Sequence, residues 1–233
     1  MMLAPLDPQR LPPGTGRGVR IVVIDSGVHV AHSHIRSVAG GVCIHPDGTV
    51  EDNSFQDRLG HGTAVMAAIQ DKAPDAEYIA VKLFHTALRS SLPCLLRAIE
   101  WATGQHADLI NLSLGTTSPQ HADLLAAAVA KASANGAMLV SAREVAGSVF
   151  YPGSLPGVVG VCLDSTLDRH SHRTEATPQG LIYYASGHPR PIDGVPPHRN
   201  LNGISFAVAN MTGILARGLA DRHAVTYFAA AAS

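Results

Sequence analysis

The sequence has little of what would tie it to nucleic acid, to a membrane or to an oxidising compartment. Seventeen Lys and Arg stand against eighteen Asp and Glu, a formal charge of -1, so the chain carries no basic field for nucleic acid or an anionic lipid surface. No apolar run approaches the roughly 18 residues of a membrane span, and Met1 to Pro8 lack the basic stretch and apolar run of a secretory leader. The sequence therefore predicts no membrane association and a cytoplasmic location. The three cysteines, Cys43, Cys94 and Cys162, are odd in number and outside any Cys-x-x-Cys spacing, which argues against a disulfide framework or a thiolate zinc site. They are expected as buried small apolar residues. Sustained repeats and low-complexity tracts are also missing. At 233 residues one compact domain is the natural size. It is placed at residues 20–233, behind a proline- and glycine-rich extended arm at 1–19 with only 24 residues ahead of Asp25.

What is present is an alternation of apolar strands and helical periods. Ile21-Val22-Val23-Ile24 is a continuous β-branched run, the pattern of a parallel strand buried on both faces. Tyr78 to Leu83, Leu109 to Leu112, Ala137 to Val140 and Val158 to Val161 predict further strands. Between them lie a helix over roughly Leu92 to Thr103, carried by Leu95, Leu96, Ile99 and Trp101, and another with Ser118 as N-cap and Pro119 in its first turn, stopping before Gly136. The fold class expected is α/β, a doubly wound, mostly parallel sheet flanked by helices. Asp164 to Arg199, polar and proline-containing, is expected to form long surface loops.

Three separated stretches carry the chemistry: Val22-Val23-Ile24-Asp25-Ser26-Gly27, Gly60-His61-Gly62-Thr63 and Asn202-Gly203-Ile204-Ser205-Phe206-Ala207. Asp25 ends the first predicted strand, where open α/β sheets place their ligands. His61 starts one helical period, and Ser205 opens another that runs from Phe206 to about Leu219. The order Asp, His, Ser is that of one of the independent serine-hydrolase triads. On these motifs the chain resembles the subtilisin-like serine peptidases from about Arg20 to Leu219. The likeness includes Asn111-Leu112-Ser113-Leu114-Gly115, similar to the family's substrate-binding strand, and Tyr151-Pro152-Gly153, similar to a segment at its specificity pocket. The resemblance implies that Ser205 attacks a carbonyl, His61 takes and returns the proton, and Asp25 holds the imidazole. It implies that Ser113, Leu114 and Gly115 bind the peptide as an added strand, where the absent side chain of Gly115 permits backbone approach. Ala142, Arg143 and Phe150 complete the expected substrate surface. Phe150 stands where the family commonly has a small residue, so a small side chain is expected before the scissile bond.

The chain departs from the family at the oxyanion hole. Where the family has Ala-Gly-Asn, with the Asn amide donating to the oxyanion, this sequence has Ala142-Arg143-Glu144. An ionised Glu144 is an acceptor only, whereas a protonated one could donate; Arg143 could replace the donor or pair with Glu144. The departure fits a slow peptidase, an acid-favouring one, or a silent pseudopeptidase that binds a peptide or partner protein; transfer of the acyl group to an amine, giving ligation or cyclisation, is a further alternative. The short passage Gln70 to Asp75 predicts no calcium there, and no other cofactor is expected. The 28 residues after Ser205 are fewer than the family usually has. Oligomerisation or a partner protein could cover apolar surface left by that shortening. His32-Ser33-His34 and His170-Ser171-His172 lack a third ligand, so both pairs are expected as solvated loop histidines rather than metal ligands. The function predicted is a serine endopeptidase performing limited processing of a precursor or leader peptide.

Overall fold

The computed structural model describes residues 12–178 and 180–219. Residues 1–11 of the expected arm, and the expected shortened end beyond residue 219, lie outside the described residues. In chain order the elements are β1 (Arg20–Asp25), β2 (Gly40–Ile44), β3 (Val50–Asp52), α1 (His61–Gln70), β4 (Glu77–Lys82), α2 (Leu92–Gly104) and β5 (Leu109–Leu112). There follow α3 (Ala122–Ala134), β6 (Met138–Ala142), β7 (Glu144–Val145), β8 (Ser148–Val149), β9 (Val158–Leu163), β10 (His172–Thr177), β11 (Gly180–Ala185) and α4 (Ile204–Leu219).

One sheet runs in the order β10-β11-β9-β6-β5-β1-β4-β2-β3, and β7 and β8 form a separate ribbon. From β11 to β2 the neighbours are parallel; β10 and β3 pair antiparallel at the two edges. The expected mostly parallel α/β sheet is therefore present. β1 lies between β4 and β5, so the chain places β2, β3 and β4 on one side of β1, β4 returning to pair with it, and then crosses to the other. The sheet thus reverses direction of growth at β1, and Asp25 at its C-terminal end sits at the switch point where α/β sheets open a crevice.

Alternation along β1 divides the core. Ile21 and Val23 face the layer of α1 and α4, with Met66, Ile69, Phe206 and Ile214. Val22 and Ile24 face the layer of α2 and α3, with Leu95, Ile99, Leu125 and Val129. α4 is buried on nearly every side, because it packs on α1 as well as on β5, β6, β9 and β11. α2 begins at the Ser91 N-cap, whose hydroxyl accepts the Cys94 amide at 3.4 Å. Ser118 makes no side-chain cap; Pro119–His121 is a 3₁₀ turn, and α3 starts only at Ala122.

Two expectations fail here. Asp164 to Arg199 is not all surface loop, because it contains β10 and β11, which pair from His172 with Ala185 to Thr177 with Gly180. Their charged, outward side chains hid the strand period: Arg173 is paired with Asp164 at 2.9 Å and lies over the Tyr184 ring. As a result His172 is not solvated but 1% exposed, covered by the sheet it joins. His32 and His34, edge to face with centroids 5.1 Å apart, are half-buried rather than fully solvated.

Candidate active site

Asp25 and His61 meet as their motifs suggest. His61, the first residue of α1, has Nδ1 2.7 Å from Asp25 Oδ1, and the same oxygen accepts the Ser26 amide at 2.7 Å. Asp25 is 1% exposed, and its Oδ2 is buried without a hydrogen-bond partner among the described residues. Burial alone would lower the His61 pKa; the hydrogen bond and charge of Asp25, helped by Asp57, outweigh it and hold the ring above its usual 6.5. A ring so placed keeps Nε2 free to take a proton while its cation is stabilised from behind.

Asp57 and Ser26 organise the base, and sequence reasoning singled out neither. Asp57 Oδ1 accepts Ser26 Oγ at 2.9 Å, Leu59 N at 2.9 Å and Gly60 N at 3.0 Å; Oδ2 accepts Thr63 N at 2.9 Å and Thr63 Oγ1 at 2.6 Å. Gly60, at the N-cap position, makes no side-chain cap, so Asp57 supplies from three residues upstream the acceptors that the first turn lacks. Ser26 Oγ also accepts Gly62 N at 2.8 Å, fastening the helix start to the end of β1. A side chain at Gly62 would run into the Gly27 carbonyl. The available signal was Asp57 standing six residues ahead of Thr63 and just before the helical period. Lys82 at the end of β4 holds the same loop by donating to the Gln56 carbonyl at 2.7 Å.

Ser205 is the second residue of α4, so its backbone amide belongs to the first turn, where donors lack helical acceptors. The Phe206 ring lies 5.6 Å from the His61 ring, which brings the start of α4 to the base. The hydrogen bond of His61 goes to Asp25, and Ser205 Oγ and His61 form none in this structure. The Ser205 carbonyl accepts Ser113 Oγ at 3.5 Å. Ser113 Oγ in turn accepts Asn111 Nδ2 at 3.2 Å, and Asn111 Oδ1 accepts Thr212 Oγ1 at 2.9 Å. The predicted peptide edge and the helix carrying Ser205 are therefore linked by one line of hydrogen bonds, buried at its Asn111–Thr212 end.

Ser113, Leu114 and Gly115 follow β5, with Thr116 bridged to Tyr151. A Cβ on Gly115 would stand 2.8 Å from the Phe150 ring, so Phe150 packs directly beside the edge expected to take peptide. Ala142 ends β6 and is buried. Arg143 and Glu144 form no ion pair among the described residues, and Glu144 is exposed, its backbone engaged in the β7–β8 ribbon opposite Val149. Pairing of Arg143 with Glu144 is thus not realised.

A second buried polar group ties α1 to α4. Lys72, 0% exposed, donates to Asn210 Oδ1 at 2.7 Å and to the Ala68 carbonyl at 3.3 Å. Asn210 Nδ2 donates to the carbonyls of Ser186 and His188, at 2.7 and 3.0 Å. Burial, and then the charge of Arg169, lower the Lys72 pKa to about 7. Cys43, Cys94 and Cys162 are free thiols, the first two buried. Among the described residues no group of three or more His, Cys, Asp or Glu could hold a metal ion, and no helix is long and apolar enough to cross a membrane.

Comparison with known proteins adds an independent line. A family model described as the subtilase family matches residues 16–167, more than half of the chain, spanning Asp25 and His61 and ending before Ser205. The chain is 36% identical over 159 residues to the minor extracellular protease Epr of Bacillus subtilis and 33% identical over 162 residues to subtilisin E of the same species, each alignment covering 63% of this chain. It is 29% identical over 218 residues, 87% of this chain, to the M-protease of Shouchella clausii. These alignments span 23%, 41% and 54% of the respective relatives, so the chain accounts for well under two thirds of their length.

Proposed function

The chain belongs to the subtilase family, and from that premise we propose that it is a serine endopeptidase acting through an acyl-enzyme on Ser205. The observation that carries this reading is the buried Asp25–His61 pair at 2.7 Å, with the ring's proton affinity raised, beside the first turn of α4. In the proposed cycle His61 Nε2 accepts the hydroxyl proton as Ser205 Oγ attacks the peptide carbonyl. Asp25 stabilises the imidazolium. The proton then passes to the departing amine, and water repeats the sequence to release the acid. The Ser205 amide donates to the oxyanion, aided by the positive end of α4. Peptide lies along Ser113, Leu114 and Gly115 with Phe150 limiting the side chain before the scissile bond. Limited processing of a precursor in the cytoplasm is the role we assign, a compartment supported by the three free cysteines.

A second reading, a peptide-binding pseudopeptidase, is favoured by one observation: an exposed carboxylate, Glu144, at the position expected to donate to the oxyanion. Labelling with a fluorophosphonate probe, read by intact mass, separates the two. A single adduct absent from Ser205→Ala supports the peptidase; no adduct from folded protein at any pH between about 4 and 9 overturns it.

A further inference from the structure

A cavity of about 750 Å³ opens between the 29–34 segment, the first half of α1 and the 189–201 segment. Gly60, which precedes His61, and Leu201, which leads into α4, are in its wall; Ser113, Leu114, Gly115 and Phe150 are not. In the peptidase reading His61 hands its proton to the amine that leaves. In that reading the wall at Gly60 borders the departing part of the substrate, since the residues expected to hold the part before the scissile bond are not in it.

The polar lining of this cavity consists largely of donors. Arg58 and Arg199 both line it and are exposed, and neither is paired with a carboxylate among the described residues. Arg190 donates to the His34 carbonyl at 3.2 Å and stands 4.0 Å from Asp71. His32 Nδ1 accepts the His34 amide at 3.1 Å, so in the neutral ring the proton sits on Nε2. His29 Nδ1 lies 2.9 Å from the Gln56 side-chain amide, with the same consequence. Asp57 is the acidic lining residue, and both its oxygens are already filled by Ser26, Leu59, Gly60 and Thr63. The balance of charge is visible on His34. Burial first, then Arg190 and His32, lower its pKa despite the opposing carboxylates of Asp193 and Asp71. Ala64, Ala67 and Ile192 give the cavity an apolar wall suited to the methylenes of a long acidic side chain.

We propose that this cavity is a subsite for the leaving side of the substrate and takes a carboxylate side chain, so that the preferred peptide is acidic shortly after the scissile bond. Its orientation rests on the peptidase reading; its preference for an anion rests on Arg58, Arg199 and the histidine donors alone. Recognition of this kind is charge-assisted and weakens with salt.

The test uses the full chain carrying Ser205→Ala, which cannot turn substrate over, and fluorescent capped tetrapeptides Ala-Glu-Glu-Ala, Ala-Gln-Gln-Ala and Ala-Lys-Lys-Ala read by anisotropy. The Glu peptide is expected to bind at least about ten-fold more tightly than the Gln peptide, with the Lys peptide weakest, and to weaken as salt rises. Arg58→Gln together with Arg199→Gln should erase the Glu preference and leave Gln-peptide binding unchanged; both side chains are exposed, and a thermal melt confirms folding. Equal binding of the three peptides, no binding of any, or a Glu preference that survives the arginine changes overturns the proposal. Probe labelling of the unsubstituted chain separates it from the peptidase reading: Glu selectivity without labelling removes the peptidase and leaves the anion site, whereas labelling without selectivity does the reverse.

Discussion

Replacing Asp57 by Ala should unfasten the start of α1 and with it the base. The carboxylate accepts five hydrogen bonds, but they are not equal. The donors on Leu59 and Gly60 belong to exposed residues and can turn to water. Ser26 Oγ and the two donors of Thr63 are on residues 0% and 4% exposed, and these cannot. Three buried donors left without an acceptor cost about 1–3 kcal/mol each before relaxation, and relaxation brings the sum to about 3–5 kcal/mol. Against a total stability of about 5–15 kcal/mol that is a large loss. Urea denaturation should show the midpoint falling with the slope unchanged. The probe-labelling rate of Ser205 should fall further than the folded fraction explains, because His61 is the first residue of the loosened helix. The pH dependence follows from the same bonds. Burial works to raise the Asp57 pKa, but the bonds from Thr63, Leu59 and Ser26 prevail and hold it below 3.8. Its stabilisation is therefore complete above the unfolded value and is lost as pH falls through the lower folded one, a limb the variant should lack. A midpoint shift worth less than about 0.5 kcal/mol would refute the reasoning, since that is the scale of an ordinary surface change.

Further outcomes are expected. Labelling of Ser205 should increase with pH through an apparent pKa above 6.5, the direction in which His61 is displaced, and Asp25→Asn should cost about 10⁴ in turnover; a profile centred below 6.5 would contradict the pair. Lys72, with a folded pKa of about 7 below its unfolded value, binds fewer protons folded than unfolded above pH 7, so wild-type stability should gain about 2–3 kcal/mol between pH 7 and 9 relative to Lys72→Met, as measured by urea unfolding at each pH. Phe150→Gly should shift cleavage toward larger side chains before the scissile bond by about 10–100-fold in kcat/KM, and efficient wild-type cleavage after Phe or Tyr would contradict the packing against Gly115. Glu144→Asn should raise turnover toward the about 10²–10³ that this donor is worth in subtilisin, the reference case for the effect; no gain would mean that residue 144 does not face the oxyanion.

Much of the fold was legible because its signals are local. The run Ile21 to Ile24 is buried on both faces and reads as such, and α1, α2 and α4 start within two residues of where their motifs put them. β10 and β11 were not legible, since their stability comes from pairing with each other and with β9, and their outward residues are charged. The β7–β8 ribbon depends on a turn at Ala146 and Gly147, both with positive φ, and Ala146 gives no sequence cue for one. At the site the meeting of Asp25 and His61 beside the start of α4 was readable, because each residue sits in a motif at the end of its element. The groups that position them were not: Asp57 reaches back to Ser26, 31 positions away, and Asn111, Thr212, Lys72 and Asn210 find partners across the tertiary structure.

The central place of α4 bears on how the protein is made. A ribosome working from the N-terminus delivers Asp25 and His61 early and Ser205 late, at about 5–20 residues per second. Until α4 emerges, the layer that packs on it, including Val140, Val159, Val161 and Met66, has no cover. On the proposed peptidase reading the growing chain cannot attack itself or its neighbours while its apolar face is open, because the helix that closes that face is the one that carries Ser205. Burial of the sheet and, on that reading, arming of the site then become a single late event.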